Sequence, residues 1–130
     1  MLCSKTHRAV LTAYTGYLTN RTINGQLAQA QSGTTIVLEH RYYGLSNPYD
    51  DLSVQSLQFH TIQQAIDDLE YFAKNVKLPQ PNGDQLAPGK APWILVGGSY
   101  PGALTSYTMY KCVAICHVLH SSVLIGLAAR

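Results

Sequence analysis

The chain reads as an α/β protein built from parallel βαβ units, with an incomplete sheet. Three observations predict this. Two short apolar runs, residues 34–38 and 93–96, have the length of buried strands rather than of helices. A long amphipathic stretch, residues 61–76, lies between them. The resulting order of helix, strand, helix, strand, helix is that of parallel strands joined by right-handed crossovers.

Each element has a local reason. Residues 24–31 predict a short helix, with Leu27, Ala28 and Gln31 at near-helical spacing and Gly33 as the stop. Thr34, Thr35, Ile36, Val37 and Leu38 are β-branched or apolar on both faces, which predicts a buried strand. Gly44, Asn47 and Pro48 cluster after Arg41, Tyr42 and Tyr43 and predict a loop. In residues 61–76, Ile62, Ala65, Ile66, Leu69, Phe72, Ala73 and Val76 form one apolar stripe, and Gln63, Gln64, Asp67, Asp68, Glu70 and Lys74 fill the other face. Thr61 and Gln64 fit a capping box, and Pro79 and Pro81 lie just past the helix end. Residues 78–92 hold four prolines and two glycines and predict a surface loop. Trp93, Ile94, Leu95 and Val96 predict a second buried strand, running directly into Gly97-Gly98-Ser99-Tyr100-Pro101-Gly102. A helix is expected from Ala103 to Tyr110.

Composition narrows the function classes. The 130 residues amount to about one domain, and a hydrophobic content of 46% is that of a folded protein. Charged residues are only 12%, about half the usual ~25%. No run of Lys or Arg occurs and the net charge is only +2, so the clustered positive charge of a nucleic-acid groove is missing. All seven acidic residues lie between Glu39 and Asp84. The three cysteines, Cys3, Cys112 and Cys116, do not form a disulfide framework. Residues 11–18 are too short and too polar for a signal-peptide core.

A serine between small residues, after a buried strand and before a helix, has a mechanical use. The sharp turn lifts the hydroxyl clear of the sheet, and the next backbone N–H, here that of Tyr100, faces a developing oxyanion at the helix start. The same pattern also suits an ordinary glycine-rich turn, so spacing alone leaves both readings open.

Four segments in order add specificity: Tyr14-Thr15-Gly16-Tyr17-Leu18, Leu38-Glu39-His40-Arg41-Tyr42-Tyr43-Gly44, Gln64-Ala65-Ile66-Asp67-Asp68-Leu69 and Gly97-Gly98-Ser99-Tyr100. Together they closely resemble the serine peptidase family of lysosomal Pro-Xaa carboxypeptidase and dipeptidyl-peptidase II, in particular its fungal members. The resemblance covers residues 14–110. It implies part of an α/β-hydrolase fold, a Ser-Asp-His triad, and cleavage beside proline or release of N-terminal dipeptides. By that resemblance Ser99 is the nucleophile and the Tyr100 amide an oxyanion donor. The substrate is then a peptide, no metal or organic cofactor is implied, and the protein is secreted or lysosomal/vacuolar.

The sequence departs from the family in four places. Pro101 stands where the family has Gly or Ser, and a residue before proline is pushed out of the helical region, which bears on Tyr100. Loss of one oxyanion donor raises a barrier by about 3 kcal/mol. No carboxylate follows Ser99. His117 and His120 do follow, but on a continuous helix His117 is about 27 Å away, so neither is assigned a catalytic role. Residues 1–13 lack the family's glycine-rich segment, and residues 111–130 do not match it. The expectation is therefore an N-terminal piece of a longer enzyme, inactive alone: a non-matching head (1–13), a partial catalytic domain (14–110) and an apolar tail (111–130). The rivals are an esterase or lipase on the same scaffold, and a non-catalytic membrane-associated or interaction protein.

Other residues carry smaller expectations. Residues 112–129 hold no Asp, Glu, Lys or Arg, but His117, His120, Ser121 and Ser122 interrupt them, so a buried helix is favoured over a membrane span. Cys112, Cys116 and His120 share a helical face but fall short of a zinc set, so no metal is expected. Asn20-Arg21-Thr22 is an N-glycosylation pattern at Asn20. Glu39, His40 and Arg41 are read chiefly as a charge network fixing their loop, with Arg41 or Tyr42 as substrate-contacting or site-shaping residues. No partner is assigned to His60 or His7.

Overall fold

The structure is a computed structural model that describes residues 15–111 and 124–125. It divides into two compact units, Met1–His60 and Thr61–Arg130. In the first, a 3-10 helix at Thr15–Leu18 leads through a turn into helix α1, Ile23–Ala30. Thr22 caps α1 by accepting from the Gly25 amide at 3.3 Å. Gly25 sits so close to the backbone of Thr19 and Asn20 that no side chain fits there. Helix α2 is a single turn, Val54–Leu57, capped by the Ser53 hydroxyl at 3.2 Å from the Ser56 amide.

In the second unit, helix α3 spans Ile62–Asn75, within one residue of the expected stretch at each end. Thr61 is its cap, accepting from the Gln64 amide at 3.2 Å. The stripe read from the sequence faces inward. Ala65 and Ile66 are each 2% exposed and Ala73 is 5% exposed. They form the core with Leu104, while Leu69 and Trp93 pack against it half-buried. Ile62, at the outer edge of the stripe, stays exposed. A 3-10 helix, Gly83–Leu86, breaks the proline-rich loop. Strand β1, Gly97–Gly98, then turns into helix α4, Tyr100–Lys111.

Strand β2, Leu124–Ile125, pairs parallel with β1, Gly97 opposite Leu124 and Gly98 opposite Ile125. β1 and β2 thus pair in parallel on either side of α4, a different unit from the one expected of residues 34–38, 61–76 and 93–96.

Three expectations need correction. Residues 34–38 and 93–96 are not strands, because neither run has a ladder partner among the described residues. An apolar β-branched sequence can favour extension, but only cross-strand hydrogen bonds make a sheet. The pairing instead falls on the two glycines after the second run. Leu124 and Ile125, which fall within the helix expected over residues 112–129, are extended instead and pair with β1. The readings of residues 1–13, Cys112, Cys116, His117 and His120 lie outside the described residues.

Candidate active site

Ser99 occupies the bend between β1 and α4 with φ +57°, in the left-handed region that a residue with a side chain seldom adopts. Its neighbours explain why this bend can form. A Cβ on Gly97 would run into the carbonyl of Pro101 and come within 2.7 Å of the Gly102 nitrogen. A Cβ on Gly102 would lie 2.9 Å from the Gly97 oxygen. The strand end and the first helical turn thus touch through backbone alone. Behind the bend, the amides of Gly102 and Ala103 donate to the Ser99 carbonyl at 3.0 and 3.2 Å, which closes the first turn of α4. Ser99 is exposed, and Tyr100 is 41% exposed.

Pro101 does not exert the effect expected of it. α4 begins at Tyr100, the residue before the proline. The two bonds onto Ser99 fix the first turn, and a proline in that turn lacks only an N–H that the helix ladder would not use. Thr105 and Ser106 return hydroxyl bonds to the Pro101 and Gly102 carbonyls at 2.8 and 3.1 Å, reinforcing the same turn.

An apolar cleft of about 290 Å³ also lies in this unit, lined by Ile62, Gln63, Ile66, Tyr107, Tyr110 and Lys111. It belongs to the far end of α4, and Ser99 does not line it. No histidine occurs among the described residues of this unit. The described residues of the whole chain contain no group of three or more metal-ligating side chains, and no described helix is long and apolar enough to cross a membrane.

The Glu39–Ser46 loop belongs to the first unit. Where a charge network of Glu39, His40 and Arg41 is expected, these side chains bond to backbone and hydroxyl groups. The Glu39 carboxylate accepts from the Leu45 amide at 3.1 Å and from the Ser46 hydroxyl at 2.5 Å. Gly44, at φ +58°, has no room for a Cβ beside that carboxylate. Tyr42 is also left-handed, φ +67°. Its amide donates to the Ser46 carbonyl at 2.9 Å and its hydroxyl to the Ser56 carbonyl. The Arg41 guanidinium donates to the Phe59 carbonyl at 2.8 Å.

His60, for which the sequence offered no partner, packs its ring against Tyr42, Tyr43 and His40, with centroids 5.0, 5.7 and 5.8 Å away. No local pattern could have shown this, because the partners lie about 20 residues upstream. Asp51 accepts from the Ser53 amide at 2.7 Å and the Ser56 hydroxyl at 2.8 Å. These bonds, those from Ser53 foremost, hold its carboxyl below the usual carboxylate range. Asn20 is exposed, in the turn before α1.

A family model described as serine carboxypeptidase S28 matches residues 14–117. The serine protease vicPa of Bipolaris victoriae is 41% identical over 92 residues, covering 71% of this chain and 17% of that protein. A probable extracellular serine carboxypeptidase of Arthroderma benhamiae is 49% identical over 86 residues, covering 65% of this chain and 12% of that protein. The mouse thymus-specific serine protease is 33% identical over 85 residues, covering 65% and 16% respectively. The chain thus spans less than a fifth of the length of these relatives. The family read from the Glu-His-Arg-Tyr-Tyr-Gly and Gly-Gly-Ser-Tyr segments is the one whose model matches most of the sequence, strained serine bend included: the chain belongs to the serine carboxypeptidase S28 family.

Proposed function

We propose that the chain carries the nucleophile-bearing portion of an α/β-hydrolase-fold serine peptidase that hydrolyses peptide bonds. The left-handed φ of exposed Ser99, between a parallel strand and a helix, carries this reading. A strained residue at such a bend is the geometry that presents a serine hydroxyl above a sheet. In this reading Ser99 attacks the carbonyl and the Tyr100 amide, at the positive end of α4, meets the developing oxyanion. In an enzyme of the relatives' length a downstream histidine, neither His117 nor His120, takes the Ser99 proton, and a carboxylate orients that histidine. By the family resemblance Arg41 and Tyr42 are the further residues proposed to bear on the substrate; within the first unit their side chains tie their loop to the Phe59 and Ser56 carbonyls. Residues 14–110 constitute the catalytic portion, residues 1–13 a head and residues 111–130 a tail. The parent protein acts outside the cytoplasm, in keeping with the extracellular relative, and carries a glycan at Asn20.

A serine-reactive phosphonate tests the assignment. The 130-residue chain is expected to stay unlabelled, because no carboxylate follows Ser99 to orient a histidine base. A chimera with residues 14–110 in the matching stretch of the vicPa protease is expected to label, and to lose the label with Ser99→Ala. Labelling that survives Ser99→Ala removes the nucleophile assignment.

A further inference from the structure

Asparagine followed by glycine occurs twice, at Asn24-Gly25 and Asn82-Gly83, and the two asparagines stand in different surroundings. Asn24 is half-buried in the first turn of α1. The Gly25 amide is bound by the Thr22 cap, the Asn24 carbonyl accepts from the Thr35 hydroxyl at 3.4 Å, and Gly25 is wedged against the Thr19 backbone. Asn82 is exposed in the proline-rich loop and left-handed, φ 62° and ψ 23°. Its side chain makes no capping bond, although it stands at the cap of the 3-10 helix Gly83–Leu86. Gly83 is buried like Gly25, with the Leu78 carbonyl where a Cβ would go, and one hydrogen bond restrains its amide, to the Gln80 carbonyl at 3.0 Å; the difference between the pairs lies in the asparagines.

We propose that Asn82 is a site of spontaneous deamidation, and that the product loosens the anchor of Trp93. When the bond to Gln80 opens, the Gly83 nitrogen gives its proton to a solvent base and attacks Cγ of Asn82. The new N–Cγ bond closes a five-membered imide, and the Cγ–Nδ2 bond breaks to release ammonia. Water then adds to one imide carbonyl. Opening at Cγ leaves aspartate. Opening at the main-chain carbonyl leaves isoaspartate, whose backbone is one methylene longer.

That extra atom falls at the start of the 3-10 helix. Leu86 ends the same helix, and its carbonyl accepts from the Trp93 indole N–H at 2.6 Å. Trp93 in turn packs on the core of Ala65, Ile66, Ala73 and Leu104. A tight single-turn helix has no slack for a longer backbone, and Gly83 is already in contact with Leu78. Isoaspartate therefore shifts the Leu86 carbonyl away from the indole.

The full chain is incubated in mildly alkaline buffer at physiological temperature. Isoaspartate is located by methyltransferase labelling and peptide mapping, and the emission of the single tryptophan is followed in parallel. Conversion is expected at Asn82 first. Asn24, half-buried in the first turn of an eight-residue helix, should lag severalfold behind exposed Asn82. In urea the two sites should convert alike. Emission should shift in step with isoaspartate at position 82. It should stay unchanged in Asn82→Gln, which does not convert readily, and in freshly prepared Asn82→Asp, which adds the charge without lengthening the backbone and reaches the same imide only more slowly, by loss of water. Equal conversion of the two sites in native buffer, or isoaspartate at 82 with unaltered emission, overturns the proposal.

Discussion

Tyr42 and Ser99 have nearly the same left-handed φ, +67° and +57°, yet the chain holds them in opposite ways. Around Tyr42, side chains do the holding: Glu39 grips Leu45 and Ser46, Tyr42 reaches the Ser56 carbonyl, and Arg41 reaches that of Phe59. Around Ser99, side chains are kept out, and Gly97 and Gly102 bring backbone against backbone. One strained residue is buttressed by polar groups, the other by missing Cβ atoms. The first arrangement occupies its functional groups. The second leaves the serine hydroxyl exposed.

That contrast can be broken at either end. The largest effect is expected from Gly97→Ala. The new methyl meets backbone atoms, which cannot swing aside as a side-chain end can. A loss of at least about 3 kcal/mol follows, at the upper end for a single substitution, and urea unfolding measures it. The Leu45 amide, in the other unit, should keep its exchange protection.

Glu39→Ala comes next. It removes a charged acceptor from an amide and a hydroxyl, at a cost of about 1–3 kcal/mol. Hydrogen exchange at Leu45 and Ser46 should accelerate while that at Gly102 and Ala103 stays as it was. Equal acceleration in both regions denies that the two bends are held independently.

Ser99→Gly should stabilise by about 1 kcal/mol, since glycine adopts positive φ without the steric cost. A stabilised but chemically silent variant, read by melting temperature, is the mark of a serine kept under strain for its chemistry. No gain means that Ser99 sits there at little cost.

The smallest effect is acid loosening of α2. Asp51 has a depressed carboxyl pKa, so its contribution is complete above the unfolded carboxylate value and is lost as pH falls through the folded one. Exchange at the Ser53 amide should therefore quicken only on acidification below the ordinary carboxylate range. Asp51→Asn should flatten that profile, with the bend at Ser99 unaffected throughout.

The order of these effects follows what the sequence could disclose. α3 was legible because both its causes are local: a stripe at helical spacing and a threonine three residues before Gln64. The serine bend was legible for the same reason, since two glycines, a serine and a following glycine lie within six residues. The strands were not. Extension is local but pairing is remote, and β1 found its partner at Leu124–Ile125 rather than in the apolar runs that looked most strand-like. The His60 ring contacts were hidden because they depend on the Glu39–Ser46 loop folding back. Pro101 misled through a sound rule applied to a turn already closed by two bonds onto Ser99.

The pairing of Gly97–Gly98 with Leu124–Ile125 joins segments far apart along the chain through only two residues each. Loop closure has to be met before so short a ladder returns any enthalpy, whereas α3 and α4 can begin from contacts a few residues apart. The helices should thus assemble early, and the βαβ seam should zip last and fray first. The serine bend, lying between the early helix and the late seam, is where the two stages of folding meet.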